Sequence, residues 1–77
     1  MNGKELRKLL MNYFSDIKPV SELHLLRKYN KEQLYIIERN GYIKSIKINK
    51  DIKYVITQKG EEYRDSKNND DIFNDLY

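Results

Sequence analysis

Cysteine is absent from the 77 residues. That excludes a disulfide staple, a thiol redox motif and any cysteine-based zinc site. Glycine is scarce, and its three copies stand alone at positions 3, 41 and 60, so no glycine-rich phosphate loop exists. His24 is the single histidine. Without a second histidine, a cysteine or a clustered acid beside it, it makes a poor metal ligand and an unsupported catalytic base. The sequence therefore predicts no metal, no cofactor and no enzymatic activity. No apolar run approaches the ~20 residues a membrane span needs. The opening Met-Asn-Gly-Lys-Glu lacks the apolar stretch of a signal peptide. A cytoplasmic protein without a membrane partner is expected.

What the chain does have is charge and tyrosine. Residues 1–67 hold all 15 Lys and Arg and nine of the 12 acids, whereas residues 68–77 hold three acids and no base. Within the basic part, the stretch from Arg27 to Lys53 carries eight bases against three acids. This is a modest electrostatic footprint for a polyanion. Seven tyrosines and two phenylalanines supply the aromatic bulk. Tyr13, Tyr42, Tyr54 and Tyr63 fall at core or half-core positions. Lys, Ile, Asn and Tyr are heavily used and Ala is absent, as expected of an AT-rich coding source. A chain this short buries only about 60% of its unfolded surface, and it divides into one domain over residues 1–66 and an acidic tail over 67–77.

Local signals set the element order. Asn2-Gly3-Lys4-Glu5 reads as a capping box, and Leu6, Leu9, Leu10 and Tyr13 follow at helical spacing. A first helix from Gly3 to Phe14 results. The segment Ser15–Pro19 is a loop, since the residue before proline resists helix. Ser21 is the next N-cap, opening a helix from Glu22 to Lys28 with Leu23 and Leu26 inward. Asn30 and Gln33 form an Asn-x-x-Gln capping box. The third helix runs from Lys31 to Asn40 and stops at Gly41, a favourable residue just past a helix end. The short turn between these two helices has helix-turn-helix spacing. After Gly41 the period becomes strand-like over Ile43–Ile48 and Ile52–Ile56, with Asn49-Lys50-Asp51 as the turn of a hairpin with a lysine-rich outer face. Thr57 caps a fourth helix, inside whose first turn lies Gly60. Glycine there costs up to ~1 kcal/mol relative to alanine. The compensation expected is close approach of another backbone to a position without a Cβ.

The segments IIERNGYIK and YVITQKGEEYR (Ile36–Lys44 and Tyr54–Arg64) resemble those of the winged helix-turn-helix superfamily. In such proteins an acidic/basic pair, Gly and an apolar pair end the third helix, as in Glu38-Arg39-Asn40-Gly41-Tyr42-Ile43. An aliphatic-Thr-x-x-Gly-x-x-aromatic segment closes the wing, as in Ile56-Thr57 through Gly60 to Tyr63. The resemblance covers about residues 3–66 and is closest to small phage, plasmid or bacterial regulators. It implies an α+β winged helix-turn-helix fold: three helices, a two-stranded β-hairpin wing and a C-terminal helix. It also implies double-stranded DNA as partner, with the third helix in the major groove and the wing on the backbone or minor groove. The expected role is a small transcriptional regulator, a repressor in the simplest case.

On that reading the third helix turns Glu32, Tyr35, Ile36 and Arg39 outward, with Lys31 at its edge and Lys28 in the preceding turn. The Arg39 fork suits guanine O6 and N7, and Tyr35 suits a phosphate or a thymine methyl. The alternative for Arg39 is a solvated cation that complements the helix macrodipole. Glu32 would repel phosphate or accept from a cytosine amino group. Lys44, Lys47, Asn49, Lys50 and Lys53 surround the hairpin tip as contacts to phosphates, or as lysines that discourage edge-to-edge strand pairing. An outward Ile36 would favour a different class of function, a winged-helix module that docks another protein. DNA-binding accessory work in plasmid or phage replication or transfer would use the same basic surface. The tail carries Ile72, Phe73, Leu76 and Tyr77, which could form a homodimer interface, fold back on the domain or dock elsewhere.

Overall fold

The computed structural model describes residues 2–16 and 18–65. Helix α1 spans Gly3–Tyr13, strand β1 Val20–Ser21, helix α2 Glu22–Leu25, helix α3 Lys31–Arg39, strand β2 Ile43–Ile48, strand β3 Asp51–Ile56 and helix α4 Gln58–Asp65. The three strands form one antiparallel sheet in the order β1-β3-β2. The fold is α+β, with four helices and a three-stranded sheet among the described residues.

The helix starts follow the local chemistry. Asn2 Oδ1 accepts the Glu5 backbone N–H at 2.9 Å and opens α1. At α3 the capping box is complete: Asn30 Oδ1 accepts from Gln33 N at 2.8 Å and Gln33 Oε1 accepts from Asn30 N at 3.0 Å. Gly41 ends α3 with φ of +86°, a conformation that costs glycine nothing. The hairpin turns through Asn49 and Lys50, both with positive φ (50° and 74°), as a two-residue type I′ turn requires. Asp51 is already in β3, opposite Ile48.

Gly60 is explained by contact. A Cβ there would sit 2.1 Å from the Tyr42 carbonyl oxygen and 2.7 Å from Ile56 Cγ1. The same carbonyl accepts the Thr57 N–H at 3.1 Å. Thr57 Oγ1 accepts from Gly60 N at 3.0 Å and donates to the Gly41 carbonyl at 2.5 Å. One residue thus caps α4 and fastens it to the loop after α3. Lys59 adds a bond from Nζ to the Asn40 carbonyl at 2.7 Å, with its ammonium 4.7 Å above the Tyr42 ring.

The core joins Leu6, Leu9, Leu10 and Phe14 to Leu25, Leu34, Ile37, Tyr42, Ile43, Tyr54 and Tyr63. The Tyr63 hydroxyl donates to the Gly3 carbonyl at 3.0 Å, and Arg64 Nη1 donates to the Phe14 carbonyl at 2.5 Å. These bonds seat α4 across α1.

Four expectations for this part of the chain are corrected. The sheet has a third strand, because Val20 and Ser21 pair with Tyr54 and Lys53; two residues are too few to show a period of two in the sequence. Ser21 stands at the N-cap of α2 but makes no capping bond with its side chain. Helix α2 ends at Leu25 rather than Lys28, and Leu23 points outward with 74% of its surface exposed. In a one-turn helix, residues two apart lie on opposite sides. Leu25 takes the inward place, and Leu26 packs partly against the core.

Candidate nucleic-acid interface

Leu34 and Ile37 are buried and anchor α3, each at roughly 1.5–3 kcal/mol of apolar burial. With that face fixed, the 3.6-residue repeat turns Lys31, Glu32, Tyr35 and Arg39 to solvent, and Tyr35 is 61% exposed. Lys28 is exposed in the turn before the Asn30 cap. Ile36 departs from expectation: it is half-buried and packs against the core. The apolar stripe of α3 is wide enough for Ile36 to cover its flank, which removes the outward isoleucine that favoured a protein-docking surface.

Strand alternation sorts the hairpin lysines. Residues directly opposite on paired strands share a face. The Ile43–Ile56, Ser45–Tyr54 and Lys47–Ile52 pairs lie on the core face, and Lys44–Val55, Ile46–Lys53 and Ile48–Asp51 on the other. The lysine-rich outer face is therefore corrected: Lys44 and Lys53 lie on it, Lys47 is on the opposite face beyond the end of the core, and Lys50 with Asn49 forms the tip. Lys44, Lys47, Asn49 and Lys50 are exposed and Lys53 is half-exposed. The bases surround the hairpin rather than lining one side. Ile48 and Ile52 are exposed between them.

Glu38 joins α3 to the hairpin, a role that no spacing in the sequence signals. Its Oε2 accepts from Ser45 Oγ at 2.6 Å and from the Ser45 backbone N–H at 3.1 Å. Thr57 N bonds the Tyr42 carbonyl, so alternation along the register turns the Ser45 N–H to the open edge of β2. The carboxylate therefore closes the middle of an exposed strand edge. It also engages one of the three acids between Arg27 and Lys53 at that edge.

A second polar contact lies on the same core face. The Tyr54 hydroxyl donates to Glu22 Oε2 at 3.3 Å. Burial first, then the nearby Glu22 and Glu38 charges, push the phenol up to about 12, so it stays protonated at neutral pH. His24 is exposed, with its ring edge-on to Tyr13 at 5.3 Å. Among the described residues no group of three His, Cys, Asp or Glu side chains is placed to hold a metal, and no helix is long and apolar enough to cross a membrane. Ile72, Phe73, Leu76 and Tyr77, the expected dimer interface, lie outside the described residues.

The structure thus brings Lys31, Glu32, Tyr35 and Arg39 onto one exposed helix face and joins that helix to the lysine-bearing hairpin through Glu38. Comparison with protein-family models, with curated proteins and with solved structures found no match.

Proposed function

We propose that residues 1–66 form a winged helix-turn-helix domain that binds double-stranded DNA as a small transcriptional regulator. On this reading α3 enters the major groove, Arg39 and Tyr35 read base edges, and Lys28 and Lys31 meet the backbone near the start of that helix. The hairpin is the wing, and Lys44, Lys47, Lys50 and Lys53 neutralise phosphates on both its sides and at its tip. Repression by occlusion is the simplest mode of action for a domain of this size.

The observation that carries this reading is the junction of α3 with the hairpin. An exposed helix face with Tyr35 and Arg39 is tied by Glu38 to a hairpin whose tip bears Asn49 and Lys50. Two elements held at a fixed angle can engage groove and backbone together, and pre-positioning lowers the ordering cost of binding. Leu23, at 74% exposure, favours the rival reading of a module that docks another protein.

Charge reversal and base readout separate the two. Lys47→Glu, Lys50→Glu and Lys53→Glu together are expected to weaken binding to every duplex alike. They should flatten the log–log salt dependence by ~0.9 per phosphate contact removed. Arg39→Ala is expected to relax sequence preference at one base pair by ~1–3 kcal/mol. Duplex binding left unchanged by the triple reversal would refute the wing assignment. A partner interaction lost with Leu23→Ser and kept in the lysine variant would favour the rival.

A further inference from the structure

The flank of α3 turned away from the hairpin borders a cleft. Glu5 and Lys8 of α1, Lys28 and Tyr29 of the turn before α3, and Gln33 in the first turn of α3 line it, and its volume is about 350 Å³. Gln33 and Glu38 are five residues apart, about 140° around the helix, and the buried Leu34 and Ile37 lie between them. Glu38 meets the hairpin, so Gln33 marks the opposite flank. Its Oε1 accepts the Asn30 N–H at 3.0 Å, which fixes the amide and turns its own N–H donors away from the cap. Lys8 and Lys28 are exposed, and among the described residues neither ammonium makes an ion pair or a hydrogen bond.

We infer that this cleft binds a backbone phosphate of duplex DNA, with Lys8 and Lys28 as its two cationic contacts, an assignment that rests on the DNA-binding reading of α3 and the hairpin. A helix seated in a major groove about 12 Å wide has a phosphate wall on each flank. The hairpin serves one wall, and the cleft stands at the other. Two lysines from separate elements, α1 and the turn, converge on it. A single carboxylate, that of Glu5, opposes them, so two cations face one anion in the lining. Tyr29 and Gln33 add neutral donors. Burial first, then the nearby Tyr13 and Glu5, push the Tyr29 phenol up, so it keeps its proton at neutral pH. Ammonium groups and neutral donors suit a ligand that carries negative charge and only accepts hydrogen bonds, as a phosphodiester does. Contacts of this kind fix the register of a protein on the duplex and read no sequence. Helix α1 thereby joins α3 and the hairpin in the footprint.

The test is duplex binding by the full chain over a salt series, with Lys8→Gln, Lys4→Gln and Glu5→Gln beside the parent. All three positions are exposed, and urea midpoints check that each variant is folded. Lys4 carries the same charge one turn earlier on α1 and lies outside the cleft. Lys8→Gln is expected to weaken binding to every duplex and to flatten the log–log salt slope by ~0.9, the loss of one phosphate contact. Lys4→Gln should leave the slope at its parent value. Glu5→Gln removes the opposing carboxylate and should tighten binding at an unchanged slope. In nuclear magnetic resonance spectra the Gln33 side-chain amide should shift on addition of duplex and stay in place with inorganic phosphate alone at the same ionic strength. A slope unchanged by Lys8→Gln, or flattened equally by Lys4→Gln, would overturn the inference while leaving the DNA reading standing. A saturable shift with inorganic phosphate alone would overturn it too, and would assign the cleft to a small free anion. A parent chain that binds no duplex would overturn the DNA reading itself and this inference with it.

Discussion

Replacing Gly60 by alanine tests how the carboxyl-terminal helix is attached to the rest of the domain. On helix propensity alone the change should stabilise, since alanine is favoured over glycine by up to ~1 kcal/mol in a helix interior. The geometry opposes this. The new methyl would lie 2.1 Å from the Tyr42 carbonyl oxygen and 2.7 Å from Ile56 Cγ1. Ile56 can shift its side chain, but the carbonyl cannot retreat easily, because it accepts the Thr57 N–H at 3.1 Å. Moving it disturbs the cap that starts α4 and the loop after α3 together. Overpacking of a filled site typically costs ~1–3 kcal/mol, and contact with backbone belongs at the upper end. The net expectation is a loss of roughly 2 kcal/mol after the propensity gain is subtracted. For a domain of this size that lowers the melting temperature by roughly 8–16 °C. Urea unfolding followed by circular dichroism reads it as a lower midpoint at unchanged slope. Gly41 supplies the control. A Cβ there meets only Lys59 Cδ at 3.7 Å, but φ is +86°, so Gly41→Ala costs about 1–2 kcal/mol through conformation alone. Asparagine, which tolerates that region, should recover part of the loss at 41 and none at 60. A Gly60→Ala variant as stable as the parent would refute the close approach of α4 to the Tyr42 carbonyl.

Further outcomes follow from the same contacts. Burial and the nearby Glu22 and Glu38 charges push the Tyr54 phenol up from its ordinary value of 10.0 to about 12 in the folded chain. Its contribution to stability is therefore fully present below pH 10 and lost as pH rises towards 12. Chemical unfolding across that window should show a steeper loss for the parent than for Tyr54→Phe, and equal slopes would refute the assignment. Asn30→Ala removes the acceptor of the α3 capping box and should cost ~1 kcal/mol, read as a shift in urea midpoint. Leu25→Ala should cost ~2–5 kcal/mol, whereas Leu23→Ala should stay within ~0.5 kcal/mol. The reverse order would mean that α2 is rotated.

The legible parts of the fold were those in which a few consecutive residues carry the whole signal. The Asn30–Gln33 box, the stop at Gly41 and the Thr57 cap each rest on bonds within four residues. Gly60 announced a close approach because glycine is unfavourable inside a helix, but the partner, the Tyr42 carbonyl, could not be named. Strand β1 was not legible, since pairing with β3, not its own pattern, makes two residues a strand. Leu23 and Ile36 were placed the wrong way round for a related reason. A one-turn helix has no wheel to read, and in α3 the width of the buried stripe depends on what packs against it. The sequence places the lysines on a hairpin, but which face each occupies is set by register, and a one-residue step reverses it. The Glu38–Ser45 bonds cross from helix to strand and have no sequence signature. Of the expected interface, Lys31, Glu32, Tyr35 and Arg39 share an exposed face, while Ile36 leaves it for the core.

The most direct test of the DNA-binding account is a titration of the full chain against a fluorescent duplex of mixed sequence over a series of salt concentrations. The account predicts affinity that falls steeply with salt, with a log–log slope near −0.9 for each phosphate that α3 and the hairpin neutralise. Absence of binding at the lowest salt, or binding indifferent to salt, would contradict it.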